Sequence, residues 1–139
     1  MNQKLGSISV GTTAKTDILD ITDDALAFVA KSKIKTGLFT ATVPGSTASI
    51  TTIEYESGVI RDLERAIERL VPGDMHYDHD ARWGDGNGYS HVRAALLKPS
   101  LSIPIDDGQI MLGTWQQIVL LDFDNKPRKR KVIFHAIGE

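Results

Sequence analysis

Between Pro72 and His91 the chain reads PGDMHYDHDARWGDGNGYSH, a run dense in side chains that can do chemistry. Three of the four histidines (His76, His79, His91) fall there, beside Asp74, Asp78, Asp80, Asp85 and Asn87. Neutral imidazole and carboxylate are good ligands for zinc and similar divalent ions. A catalytic metal site needs about three of them plus an open position. His79, His91 and Asp85 form the sharpest such set. Their spacing is not the HExxH of a single helix, so solvated loop residues or a histidine capping a helix remain the plainer alternative. His76, spaced HxxH with His79, is a further ligand or simply exposed. The stretch has only Met75, Tyr77, Trp83 and Tyr89 as large apolar residues and no apolar face to bury. It reads as a long polar loop, and ordered loops of that length are usually functional.

Other residues suggest recognition of an anion. Ser46 and Thr47 follow Pro44-Gly45 and offer hydroxyls and backbone N–H groups at a turn, a combination able to hold phosphate. Arg128 and Arg130 in KPRKRK (Lys126 to Lys131) point to the same side of a strand and could clamp a phosphate. The competing reading of that run is charge protecting an edge strand. Trp115 and Gln116 set a large aromatic beside an amide, suited to stacking a ligand or to packing in a core or subunit contact. Glu54 and Glu56 bracket Tyr55 at strand spacing, with water the simplest environment for both carboxylates. No Ser-His-Asp order, Walker loop or Rossmann glycine pattern occurs.

The scaffold around these residues suits one domain spanning 1–139. Its 139 residues, 41% hydrophobic and 24% charged, are those of a globular protein with a real core. A net charge of −2 argues against a dedicated nucleic-acid binder. The absence of cysteine removes disulfides and thiolate ligands together. No apolar run approaches the ~20 residues of a membrane span, and MNQKLGSISV does not resemble a secretory signal. The expected compartment is the cytoplasm, with no membrane partner.

In order, Lys4–Thr13 and Thr16–Ile21 read as strands. Thr22 is expected to cap a helix that Gly37 stops. Gly37–Val43 and Thr47–Tyr55 read as strands meeting at Pro44-Gly45. GVIRDLERAIERLV follows as a helix with Val59, Leu63, Ile67 and Leu70 on its apolar stripe. Tyr89–Lys98 is helix-compatible, with Val92, Ala95 and Leu96 toward the core. Leu101–Ile105 and Gln109–Leu112 flank the hairpin turn Asp106-Asp107-Gly108. Trp115–Phe123 is the most strand-like run, and Arg128–Ile137 the last strand. The class expected is α+β, a mainly antiparallel β-sheet packed against two or three helices.

Several of these runs together resemble the YjbQ-like family, often labelled secondary thiamine-phosphate synthase. The matching residues are STASITTIEYESGVIRDL (Ser46–Leu63), YDHD (Tyr77–Asp80), GDGNGYSH (Gly84–His91), PSLSIPI (Pro99–Ile105), LGTWQQI (Leu112–Ile118) and RKR (Arg128–Arg130), in the family's order. The resemblance implies a YjbQ-like α+β fold assembled as a homotrimer, with the motif residues in a pocket near subunit boundaries. It also implies a divalent metal, zinc among the candidates, at His79 and His91 with Asp85. The activity it implies joins a pyrimidine pyrophosphate to a thiazole phosphate and releases pyrophosphate. Many members carry a histidine where this chain has Gly45.

The function expected is that of a metal-assisted enzyme on a small phosphorylated metabolite. Ser46, Thr47, Asn87, Trp115, Gln116, Arg128 and Arg130 would hold substrate, and Asp62 or Glu54 would handle protons. The alternative is a non-catalytic trimer that binds a metal or metabolite.

Overall fold

A computed structural model describes residues 1–139. In chain order the elements are β1 (Asn2–Gly11), β2 (Asp17–Asp20), α1 (Thr22–Ser32), β3 (Gly37–Thr42), β4 (Ala48–Ile53), α2 (Ser57–Leu70), α3 (Asp78–Trp83), α4 (Gly88–Leu97), β5 (Ser100–Asp106), β6 (Gln109–Ile110), β7 (Gln117–Asp122) and β8 (Lys129–Gly138). Every strand pair is antiparallel. One sheet runs β1-β8-β3-β5-β6 and the other β2-β7-β4. The α+β class is therefore as expected, with four helices instead of two or three.

β7 explains the layering. Successive strand residues point to opposite faces, and all of Ile118, Val119, Leu120 and Leu121 are buried. Ile118 and Leu120 enter the main core with Phe39, Ala41, Ile50, Val132, Phe134 and Ala136, so this core lies between the two sheets. Ala25 and Val29 of α1 close it. Val119 and Leu121 face the other way with Phe123, onto Ile67 of α2 and Ala94 of α4. The small sheet is covered on both faces, hence the unbroken apolar run IVLL. Phe28, Phe39 and Phe134 meet in the main core at centroid distances of 5.5–6.3 Å.

Several local expectations are corrected. The Thr22 side chain does not cap α1. Its hydroxyl accepts from Ile118 N at 2.9 Å and donates to Asp20 at 2.5 Å, tying the helix to β7. α1 ends at Lys33 in a left-handed conformation, before Gly37. Gly37 instead opens β3 where the chain crosses β8, and a Cβ there would lie 2.0 Å from Ile137 O. β3 and β4 do meet at Pro44-Gly45 as expected, and the bend there carries the chain from one sheet to the other. Leu70 is exposed and α2 packs through Ile60, Leu63 and Ile67. On α4 the buried side is Ser90, Arg93 and Ala94, while Val92, Ala95 and Leu96 face outward. The run Pro72–His91 is not structureless, since it contains α3 and the start of α4. β8 lies between β1 and β3, so its cations guard no edge. No helix is long and apolar enough to cross a membrane.

Leu120 is fully buried in the main core. Leu120→Ala is expected to cost about 2–5 kcal/mol in urea denaturation. A loss below about 1 kcal/mol would contradict the two-sheet packing.

Candidate functional site

Strand alternation carries the main core directly into a polar cleft. On β7 the inward series Ile118, Leu120 continues through Asp122 to Asp124. On β8 the series Ala136, Phe134, Val132 continues through Arg130 to Arg128. Apolar residues thus give way to two acids facing two arginines, and both acids are almost wholly buried. Arg130 Nε donates to Asp122 Oδ2 at 2.6 Å and its Nη2 to Oδ1 at 3.0 Å, a two-point pair. Arg128 Nε donates to Asp124 Oδ2 at 2.9 Å. Thr47 links the two pairs, donating to Asp124 at 3.0 Å and accepting from Arg130 Nη2 at 2.6 Å.

The opposite wall comes from α3, α4 and their link. Tyr77 anchors the start of α3 by donating to Pro72 O at 2.6 Å. Asp80 Oδ1 accepts from Gly88 N at 2.8 Å and so fixes α4 against α3. Gly88 is required at this contact, since a Cβ would lie 2.6 Å from Tyr77 Cβ. Ser90 donates to Phe123 O, and buried Arg93 donates to Val71 O and pairs with Glu68 at 2.5 Å. The Glu68 carboxyl is held below its usual range by the Gly73 backbone N–H and then by Arg93. α4 is therefore fixed by polar contacts, and with it His91 on its first turn.

These elements place His79 Nδ1 3.3 Å from Asp85 Oδ1 and 3.6 Å from Asp80 Oδ1. Nδ1 is buried and has no hydrogen-bond partner. The ligand atoms of His79, Asp80 and Asp85 all lie within 4.8 Å of one another, a donor set that fits a divalent cation. His91 stacks on His79 with ring centroids 4.4 Å apart and planes tilted 43°, outside that cluster. In one orientation the Asn87 amide donates to Asp124 at 3.4 Å. Turned over, it donates to both oxygens of Asp85, at 3.1 and 3.3 Å, and this closer fit is the better one. The first orientation bridges the two walls, whereas the second ties Asn87 to Asp85 on its own wall.

The cleft between the walls holds about 520 Å³. It is lined by His79, Asp85, Asn87 and His91 on one side and Ser46, Thr47, Asp124, Arg128 and Arg130 on the other, with Gly45 and Trp83. Trp83 is its only apolar lining residue, so the space suits a polar, charged ligand. His76 lies outside and pairs with Asp78 at 3.3 Å.

Four expected site residues are elsewhere in this chain. Asp62 is exposed on α2 and pairs with Arg65 at 2.5 Å, the fate of a residue on a solvated helix face. Glu54 and Trp115 share a separate depression with Asp20, Asp23 and Tyr55. Gln116 is occupied locally, donating to Thr52 at 3.1 Å and accepting from Gly113 N at 3.0 Å. Glu56 also has a structural role, capping α2 through the Gly58 and Val59 backbone N–H groups, which lower its pKa. Asp80 and Trp83 were named only as members of the polar run, and Asp122 and Asp124 were not singled out by sequence reasoning. A signal existed for two of them, because Asp122 and Asp124 extend the inward parity of a buried strand.

Burial pushes the Asp124 carboxyl up, but hydrogen bonds from Thr47, Asn87 (when it faces Asp124), Arg128 and the Asn125 backbone outweigh it and lower the pKa. A carboxylate depressed on folding stabilises the fold above its unfolded pKa, ~3.9, and loses that contribution as pH falls through the folded value. The stability difference between wild type and Asp124→Asn should be fully present at pH 7 and shrink below about pH 4. Urea titrations across that range check it, and a pH-independent difference would contradict the assignment.

The family pattern described as "UPF0047 protein YjbQ-like" matches residues 6–139. A UPF0047 protein of Archaeoglobus fulgidus is 35% identical over 130 residues, covering 94% of this chain and 98% of that one. Among solved structures, a YbjQ-like protein of unknown function from Sulfolobus solfataricus P2 superposes with a TM-score of 0.90 at 29% identity, covering 99% of this chain and 100% of that one. A hypothetical protein from Aeropyrum pernix K1 gives 0.91 at 29% identity, covering 98% and 99%.

Proposed function

We propose, for a chain that belongs to the UPF0047 YjbQ-like family, that the cleft serves a metal-assisted enzyme acting on a small phosphorylated substrate. The observation that carries this reading is His79 Nδ1, buried without a partner and facing two carboxylates. Buried polar atoms are nearly always satisfied, and a divalent cation would satisfy this one. His79, Asp80 and Asp85 would hold the ion, with His91 against the His79 ring. Zinc is among the ions suited to nitrogen and oxygen ligands. When bound, such an ion stabilises charge developing on a phosphoryl or pyrophosphate oxygen.

The chain's own charges explain why the cation matters. Arg128 and Arg130 are balanced by Asp124 and Asp122, leaving Asp80 and Asp85 in excess. These two carboxylates weaken phosphate binding in the cleft alone, and a divalent cation removes their repulsion. Arg128, whose side chain is 44% exposed, then offers its outer nitrogens to the ligand. Joining a pyrimidine pyrophosphate to a thiazole phosphate with release of pyrophosphate, the activity the resemblance implies, is one reaction of this class. Arg128 and Arg130 turn toward aspartates within the fold, which favours a compact anion over nucleic acid.

A second reading is a non-catalytic homotrimer that binds a metal or metabolite. It is favoured by the positions of Asp62 and Glu54 away from the cleft, where the carboxylates are already engaged. The large exposure of Trp115 suits a subunit contact in such a trimer.

Elemental analysis is expected to find one divalent ion per chain, lost in His79→Ala. Calorimetry is expected to show pyrophosphate binding about tenfold or more tighter to metal-loaded than to chelated protein, as removal of like-charge repulsion requires. Absence of metal from both proteins, or equal pyrophosphate affinities, would sink the reading. Saturable metal binding without turnover of phosphorylated substrates would favour the non-catalytic alternative.

A further inference from the structure

The segment Gly45–Thr47, which passes from one sheet to the other, leaves its backbone donors unused. None of the N–H groups of Gly45, Ser46 and Thr47 donates a hydrogen bond within the chain. Thr47 is almost wholly buried as a residue yet lines the cleft, and backbone N–H groups in such residues rarely go without a partner. A second observation points to the same spot. The Arg130 side chain is only 10% exposed, with Nε and Nη2 committed to Asp122 and Nη2 also to Thr47. Nη1 has no partner, and lies 3.4 Å from where a Cβ on Gly45 would stand. Gly45 has φ +128°, a conformation that residues with a side chain rarely adopt. The local backbone thus keeps this approach to Nη1 free of a side chain.

We propose that the Gly45, Ser46 and Thr47 amides and Arg130 Nη1 form a hole for a terminal phosphate, and that Asp122 is the positioning residue that aims Nη1 into it. Successive free backbone N–H groups make anion-binding concavities, and a guanidinium gripped on one edge presents the other in a fixed direction. The ligand class is a phosphomonoester or the end group of a diphosphate, which offers three outer oxygens to this donor set. A diester offers two and carries less charge. The hole deepens the phosphorylated-substrate reading and rests on it, but does not depend on the metal.

The test follows backbone amides by ¹H–¹⁵N NMR while inorganic phosphate is added, once to metal-loaded and once to chelated protein. The amides of Gly45, Ser46 and Thr47 are expected to move together and saturate in both titrations, at higher phosphate concentration without metal. Dimethyl phosphate, a diester, is expected to bind about tenfold or more weakly. Asp122→Asn, and Arg130→Lys should the first fail to fold, are expected to weaken phosphate about tenfold and narrow the preference over the diester, with the same amides responding. A purely structural role for Asp122 would leave that preference unchanged. Shifts confined to exposed Lys129 and Lys131, or absent, would overturn the proposal. If the amides respond equally with and without metal, the hole stands and the metal-assisted reading falls. If metal binds and the amides stay silent, the reverse holds.

Discussion

The buried pair of Asp122 and Arg130 is the constraint around which the site is built. It sits where the intersheet core would otherwise end in open water, closing that core with charge. Removing one partner of such a pair leaves an uncompensated charge in a low-dielectric environment, which is costly, whereas the intact pair adds little net stability. Its value lies in specification. The pair pins the start of β8 to the end of β7 and leaves one guanidinium nitrogen directed at the cleft. Thr47 and Asp124 extend the network, so the wall that carries the two arginines is cross-linked by hydrogen bonds within the fold itself.

The opposite wall is organised differently. α3 is short and buries no residue, and its order comes from Tyr77 on Pro72, Asp80 on Gly88 and the polar anchors of α4. Such a wall is held by a few directional bonds instead of by apolar area. Its one buried side-chain atom without a partner, His79 Nδ1, is therefore conspicuous.

Much of the fold was legible because apolar residues alternate where a strand is buried. The run IVLL declares a strand covered on both faces, and Asp107-Gly108 declares the hairpin of β5 and β6. The helices of the cleft were harder. α3 has no apolar periodicity to read, and α4 buries Ser90 and Arg93 while exposing Val92 and Leu96, the reverse of what amphipathicity suggests. The histidines and Asp85 stood out by type and clustering. Arg128 and Arg130 stood out by spacing, but their partners did not, because DFDN reads as the end of a strand and a turn. Asp62 and Glu54 show the opposite failure: carboxylates assigned to proton handling whose surroundings are a surface arginine and solvent.

The first strand pairs with the last along ten residues, Asn2 against Gly138 through Gly11 against Lys129. Such pairing has high contact order, and loop closure across the whole chain must precede it. The cations of the cleft stand at the beginning of that last strand. On a ribosome, Asp122 and Asp124 emerge before Arg128 and Arg130, and β1 waits unpaired until β8 has followed. The cleft is therefore incomplete until β8 has been made, and a nascent chain stalled before β8 would leave β1 unpaired and β3 paired on one side only. Quality control that recognises unpaired strands would meet β1 with both edges open in the unfinished protein and with only its outer edge open in the finished one.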